Sequence, residues 1–207
     1  MTAGAASVPV PAARMARWVL NFQGRHGATA LTVTDGALAG VAADGSSFSA
    51  RLPFEQRYAG LPDADAFAAA AAAPDDWGVL LVRKGGFAVA RLAGEQTTDS
   101  KVGQRHVQGR TKAGGQSQQR FARRRDNQAR QAFEAAADHA ARILDGLAGP
   151  LVTGGDHAAV TEVLEDPRLR RHRVVPPFLS VPDPRRGVLE RAVSDAAALR
   201  VEVHNAD

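Results

Sequence analysis

The stretch ATALTVTDGALAGVAADGSSFSARL, residues 28–52, decides the fold class of this chain. Its runs ATALTVT, ALAGVAA and SFSARL are separated by Asp35-Gly36 and Asp44-Gly45. Asp-Gly between apolar or alternating runs marks a hairpin, because both residues tolerate positive φ. An antiparallel meander is therefore predicted, with WVLNF, residues 18–22, as a strand before it. Downstream, residues 61–73 read as a helix with Pro62 in its first turn and Pro74 ending it. WGVLLVR and FAVARLAG then flank Lys84-Gly85-Gly86 as another hairpin.

Residues 94–116 lack an apolar period and are rich in Gly, Gln, Thr and Lys, so a long exposed loop is predicted there. From Ser117 the pattern is helical: apolar residues recur at Ala129, Phe133, Ala136, Ala140, Ile143 or Leu144, and Leu147, and Gly149-Pro150 stops the run. A helix over 117–148 would be roughly 45 Å long. Its first turns carry almost no apolar stripe and should project. A buried strand, PLVTGG, a helix opened by Asp156, a strand-like RVVPPFLSV and a helix over 186–199 complete the chain. The predicted class is α/β (α+β): a mixed, largely antiparallel sheet flanked by helices, with one long projecting helix. One domain is expected over residues 17–200, between a disordered tail at 1–16 and a short C-terminal tail at 201–207.

Composition narrows the function. The 207 residues are 44% apolar, enough for a real core, but only 5% aromatic, so close packing of alanine-rich helices must replace bulky rings. The absence of cysteine excludes a disulfide framework, a thiolate zinc site and a cysteine nucleophile. The start of the chain lacks the basic and apolar regions of a signal peptide, and no apolar run approaches the roughly 20 residues that span a bilayer. A cytoplasmic protein with no membrane association is expected. Net charge is only +4, yet Lys101, Arg105, Arg110, Lys112, Arg120, Arg123, Arg124, Arg125 and Arg130 face a single acid, Asp126, across residues 101–130. That window carries +8 and leaves −4 elsewhere. A mildly acidic chain with one intense basic stripe has the electrostatic footprint of a polyanion binder, nucleic acid above all.

Chemistry concentrates in RTKAGGQSQQRFARRR, residues 110–125. The pair Gly114 and Gly115 lets a backbone enter a tight place and present Gln116. Glutamine has no useful pKa, but its amide orients water and its backbone N–H stabilises a developing oxyanion. The remaining machinery must then come from elsewhere, such as an RNA active site. Arg120, Arg123, Arg124 and Arg125 lie near a helix N-terminus, where the macrodipole disfavours each cation by roughly 0.3–1 kcal/mol. Stability does not select them; a helix end surrounded by phosphate does.

GGQSQQRFARRR resembles the GGQSxxRFARxR segment of the central catalytic domain of eukaryotic and archaeal class-I translation release factors, matching nine fixed positions without a gap. The strands before it, the helix after it and the LVTGG strand followed by a helix also look like that domain, over roughly residues 17–199. The resemblance implies that Gly114, Gly115 and Gln116 form a catalytic tip that enters the peptidyl-transferase centre and promotes hydrolysis of the peptidyl-tRNA ester. The partners implied are large-subunit ribosomal RNA and peptidyl-tRNA, with no cofactor and a monomeric protein; any delivery or splitting factor stays open. The chain has no Asn-Ile-Lys-Ser motif, and at this length no separate codon-reading domain is expected. It is thus closer to the stand-alone VLRF-type, release-factor-like peptidyl-tRNA hydrolases of ribosome quality control, which use a Gly-x-x-Gln pattern. Gly115-Gln116-Ser117-Gln118 satisfies that pattern as well, making Gln118 the rival catalytic glutamine.

The other candidates carry less. His26, His106, His139, His157, His172 and His204 are scattered without metal-ligand spacing, so no metal site is expected. Gly154-Gly155-Asp156 lacks a following Gly-Lys-Ser/Thr and reads as a strand-to-helix turn rather than a phosphate loop. Two alternatives to ester hydrolysis remain: cleavage of the tRNA 3′ end, and a non-enzymatic ribosomal RNA-binding module.

Overall fold

The computed structural model describes residues 6–104 and 131–206. These form two compact units, one within Met1–Ala73 and Ser194–Asp207 and the other within Pro74–Val193, where the sequence predicts one domain.

The first unit contains β1 (Ala6–Val10), α1 (Met15–His26), β2 (Thr29–Thr34), β3 (Ala37–Ala42), β4 (Ser47–Arg51), α2 (Ala64–Ala69) and β10 (Leu199–His204). Its sheet has the order β1-β10-β4-β3-β2 and is antiparallel throughout. The predicted meander is present, with Asp35 (φ 53°) and Gly36 (φ 74°) making the β2–β3 turn in the left-handed region. WVLNF is not a strand but the middle of α1. Met15, Val19 and Phe22 are its buried residues, spaced by four and three, so a helical face runs through the apolar cluster, and Leu20 is left 66% exposed. Residues assigned to both tails form strands: Ala6–Val10 pairs with β10, which itself spans Leu199–His204. α2 starts later than predicted because Asp63, whose side chain accepts from the Ala66 N–H, caps it one residue after Pro62, and it ends at Ala69 rather than 73.

The second unit contains β5 (Trp77–Arg83), β6 (Gly86–Ala93), β7 (Gln96–Gln104), α3 (described over 131–143), β8 (Leu151–Gly155), α4 (His157–Leu164), β9 (Val174–Leu179) and most of α5 (Arg186–Ala196). Its sheet order is β7-β6-β5-β8-β9. The β5–β6 and β6–β7 pairs are antiparallel, and β8 and β9 add in parallel to β5. Much of the predicted loop after Gly94 is β7, a strand with a single neighbour; a sheet edge wet along one side needs no apolar alternation. The predicted stripe on the long helix does bury: Phe133, Ala136, Ala140, Ile143 and Leu144 pack with Leu80, Val82, Phe87 and Val89 of the sheet and with Val160 and Val163 of α4. α3 ends at residue 143 rather than 148, and Gly146 (φ 68°) supplies the left-handed turn behind it. Residues 117–130 of the predicted helix lie outside the described residues. α5 likewise stops at Ala196, because Leu199 opens β10.

Candidate nucleic-acid interface

Strand directions gather the relevant chain ends at one edge of the second unit. β7 ends at Gln104, opposite Gly86 at the start of β6. Arg83, the last residue of β5, faces the same Gly86 across the hairpin. Because β8 and β9 run parallel to β5, their last residues, Gly155 and Leu179, arrive at this edge too. α3 runs the other way: its end packs Leu144 against Gly78, at the start of β5, where a Cβ would come within 2.8 Å of Leu144 Cδ2. The segment of residues 105–130 therefore leaves and re-enters the described fold through β7 and α3, whose proximal ends face the same edge. Gly103 and Phe87 oppose each other at this exit, and a side chain on Gly103 would run into the Phe87 ring. Phe87 in turn stacks on His139 of α3, with ring centroids 5.5 Å apart. One aromatic residue thus holds the end of β7 and the helix together.

The far end of α3 is fixed by a polar clamp that the sequence reading missed. Arg91 on β6 donates from Nε to Asp76 Oδ1 at 2.8 Å and from Nη1 to the Asp145 carbonyl at 2.6 Å, just past the helix end. The Asp76 carboxylate also accepts the Ala148 N–H at 2.8 Å. A guanidinium at the helix C-terminus complements the macrodipole and the last carbonyls. Burial pulls the Asp76 carboxyl upward, but hydrogen bonds from Arg91 and the Ala148 N–H, with the Arg91 charge, outweigh it and leave the carboxyl below its ordinary range. No motif marks this clamp, since its members are up to 72 residues apart.

Arg91→Ala should lower stability by about 1–3 kcal/mol at neutral pH, since it leaves the half-buried Asp76 without its cation. A depressed folded-state pKa contributes stability that is present above the unfolded value and lost as pH falls through the folded one. The gap between variant and wild type should therefore narrow below about pH 4. Urea unfolding as a function of pH measures this, and a gap independent of pH would show that Arg91 acts only through the carbonyls of 145 and 146.

Of the catalytic and RNA-binding candidates, Lys101 alone is described: it lies exposed on β7, opposite Val89. Gly114, Gly115, Gln116 and Gln118, with Arg105, Arg110, Lys112, Arg120, Arg123, Arg124, Arg125 and Arg130, lie outside the described residues, as does His106. His172 is buried; burial first, then the charges of Arg171 and Arg91, lower its pKa, so the ring is neutral near pH 7. A groove of about 460 Å³ between α3 and α4 is lined by Phe133, Glu134, Ala137, Glu162 and the Asp138–Arg168–Asp166 triad. Its excess of carboxylates is the wrong sign for nucleic acid. Gly154-Gly155-Asp156 is the predicted turn, with Asp156 capping α4 by accepting the Ala159 N–H at 3.2 Å. Among the described residues no cluster of three or more metal-ligating side chains occurs, and no helix is long and apolar enough to cross a membrane.

The family model for the Actinobacteria/chloroflexi VLRF1 release factor matches residues 75–202, which takes in the whole second unit after Pro74 and reaches β10. No curated protein matches the chain. Among solved structures, it is similar to an archaeal translation termination factor, aRF1, with 13% identity and a TM-score of 0.42 over 94% of this chain and 66% of that one. A structure described as an archaeal protein matches with 13% identity and a TM-score of 0.38, over 75% of this chain and 50% of that one. The chain thus spans less than two thirds of the length of either structure.

Proposed function

We propose, because this chain belongs to the VLRF1 release-factor family of Actinobacteria and Chloroflexi, that it is a peptidyl-tRNA hydrolase that frees stalled nascent chains on the large ribosomal subunit. The observation that carries this reading is the segment GGQSQQRFARRR, residues 114–125, inserted between β7 and α3 of the unit that the family match covers. In this mechanism Gly114 and Gly115 bring the backbone to the peptidyl-tRNA ester. The Gln116 amide orients a water molecule, and its backbone N–H donates to the oxyanion that forms on the ester carbonyl. The water oxygen bonds to the carbonyl carbon, the bond to the tRNA 3′ oxygen breaks, and the proton lost by water ends on that oxygen. Ribosomal RNA and the tRNA itself complete the site, so the isolated protein is nearly inert. The protein acts as a cytoplasmic monomer without a cofactor, and the basic stripe from Lys101 to Arg130 holds it on RNA.

The test uses purified large subunits carrying labelled peptidyl-tRNA, with both products separated on a gel. Free peptide with full-length tRNA is the expected outcome. A tRNA shortened at its 3′ end would replace ester hydrolysis by nuclease chemistry, and binding without either product would leave an RNA-binding module. In the same assay Gly115→Ala should reduce release by at least about tenfold with an unchanged melting temperature, if that glycine uses positive φ. Wild-type release by this variant would remove the backbone argument.

A further inference from the structure

Each of the two sheets has two edge strands among the described residues, and three of these four edges carry devices that keep other strands away. β1 holds Pro9, β9 holds Pro176 and Pro177, and β7 holds Asp99 and Lys101, with a register shift against β6 between Arg91 and Leu92. Such residues protect an edge because a proline removes a donor, a charge resists burial and a bulge twists the ladder away. β2 has none of them. Its sequence TALTVT contains no charged residue, no proline and no glycine, and it pairs in unbroken register with β3 alone among the described residues. Thr, Val and Leu suit a pleated, half-buried surface. An uncharged ladder of backbone donors and acceptors is thus left open along Thr29–Thr34.

The side chains of β2 suit a neighbouring strand on both faces. Leu31 and Val33 are half-buried and pack on the core of the first unit, while Ala30, Thr32 and Thr34 are exposed on the opposite face. Val41, paired with Ala30 across the β2–β3 ladder, is 56% exposed and widens the apolar area of that face. The two ends of the strand carry opposite charges. Arg25 is exposed in the last turn of α1, before β2, and Asp35 is exposed just after it; neither side chain has an ion-pair partner among the described residues. Pairing β2 antiparallel with β2 of a second copy sets each Asp35 at the end of the strand that follows Arg25 in the other. A two-fold axis perpendicular to the sheet keeps the Leu31 and Val33 faces of both copies on one side, because directly paired residues point the same way. The two five-stranded sheets then form one continuous sheet whose outer edges are both β1. Pro9 guards each of those edges, so assembly closes at two copies. Charge match and closure select a second copy over a foreign strand.

We infer that β2 is a self-association edge, through which two copies of the free protein pair antiparallel as an isologous dimer. One peptidyl-tRNA ester takes one catalytic tip, so the pair is the form of the free protein and the monomer proposed above is the form that acts on the subunit. The inference does not rest on the hydrolase reading, since it uses only the first unit. The interface is small, and pairing should therefore depend on concentration. The test is sedimentation equilibrium of the full chain over a concentration series, in which wild type should pass from the mass of one chain to that of two. Thr32→Lys should weaken the pair by at least about tenfold. With either Leu31 or Thr32 on the two-fold axis, the side chains at position 32 of the two copies lie within about 8 Å of one another. Thr32→Glu should weaken the pair as much, and an equimolar mixture of the two variants should restore it, which misfolded variants could not do. Wild type that stays monomeric throughout the series overturns the inference, as do assemblies larger than two copies. Lys and Glu variants that each pair like wild type, or a mixture that stays monomeric, overturn it as well.

Discussion

Gln116→Ala is expected to abolish peptide release from ribosome-bound peptidyl-tRNA, by at least about 100-fold, while folding and ribosome binding stay nearly intact. The magnitude follows from what the side chain is asked to do. A positioned donor or orienting amide in a water-poor site lowers the barrier far more than it contributes to ground-state binding, because the charge it meets develops only as the ester is attacked. The melting temperature should not move, because the described core of the second unit is built from Phe133, Ala136, Ala140, Ile143 and Leu144 packed on β5, β6 and α4, and the exposed-loop glutamine that the sequence predicts at 116 adds little to a core. The measurement is single-turnover release of labelled peptide from purified subunits, with sedimentation to confirm that the variant is bound. Gln118→Ala is the companion variant. If it is the dead one, the Gly-x-x-Gln reading of residues 115–118 displaces the Gly-Gly-Gln reading. Undiminished release in both would sink the catalytic role of the segment altogether.

What the sequence made legible follows from what each signal depends on. The hairpins were legible because Asp35-Gly36 and Asp44-Gly45 carry their own backbone chemistry. The buried face of α3 was legible from period alone. α1 was misread because WVLNF is a short continuous apolar run, which periodicity cannot assign; the decisive residue, Met15, lies three positions before it. β7 was misread because an edge strand need not alternate, and the terminal strands because their reason for ordering is a partner almost 200 residues away. The family resemblance was legible because Gly-Gly-Gln and the arginines after it are contiguous. By contrast, the Asp76–Arg91 clamp exists only once strand order is known. Contiguous chemistry can be read from a sequence; chemistry assembled by topology cannot.

The basic stripe should govern binding, and its two halves should separate experimentally from the catalytic tip. If about five of its nine charges reach phosphates, single-strand counterion release gives a slope of log K against log salt of about −3.5. Affinity for the large subunit should therefore fall about a hundredfold between 50 and 200 mM salt. Arg123→Glu with Arg124→Glu removes two attractions and adds two repulsions, so binding should weaken by at least about 100-fold. Fold stability should not suffer, since near the start of the helix that the sequence predicts over 117–148 the two acids complement the macrodipole. Peptide released per bound complex should fall far less than in Gln116→Ala, because arginines that grip the backbone of RNA position the protein without meeting the ester. Filter binding across a salt series, followed by release measured at saturating protein, reads both quantities on one preparation. A salt-insensitive complex, or a double variant that binds normally, would reduce the stripe to a solvated surface.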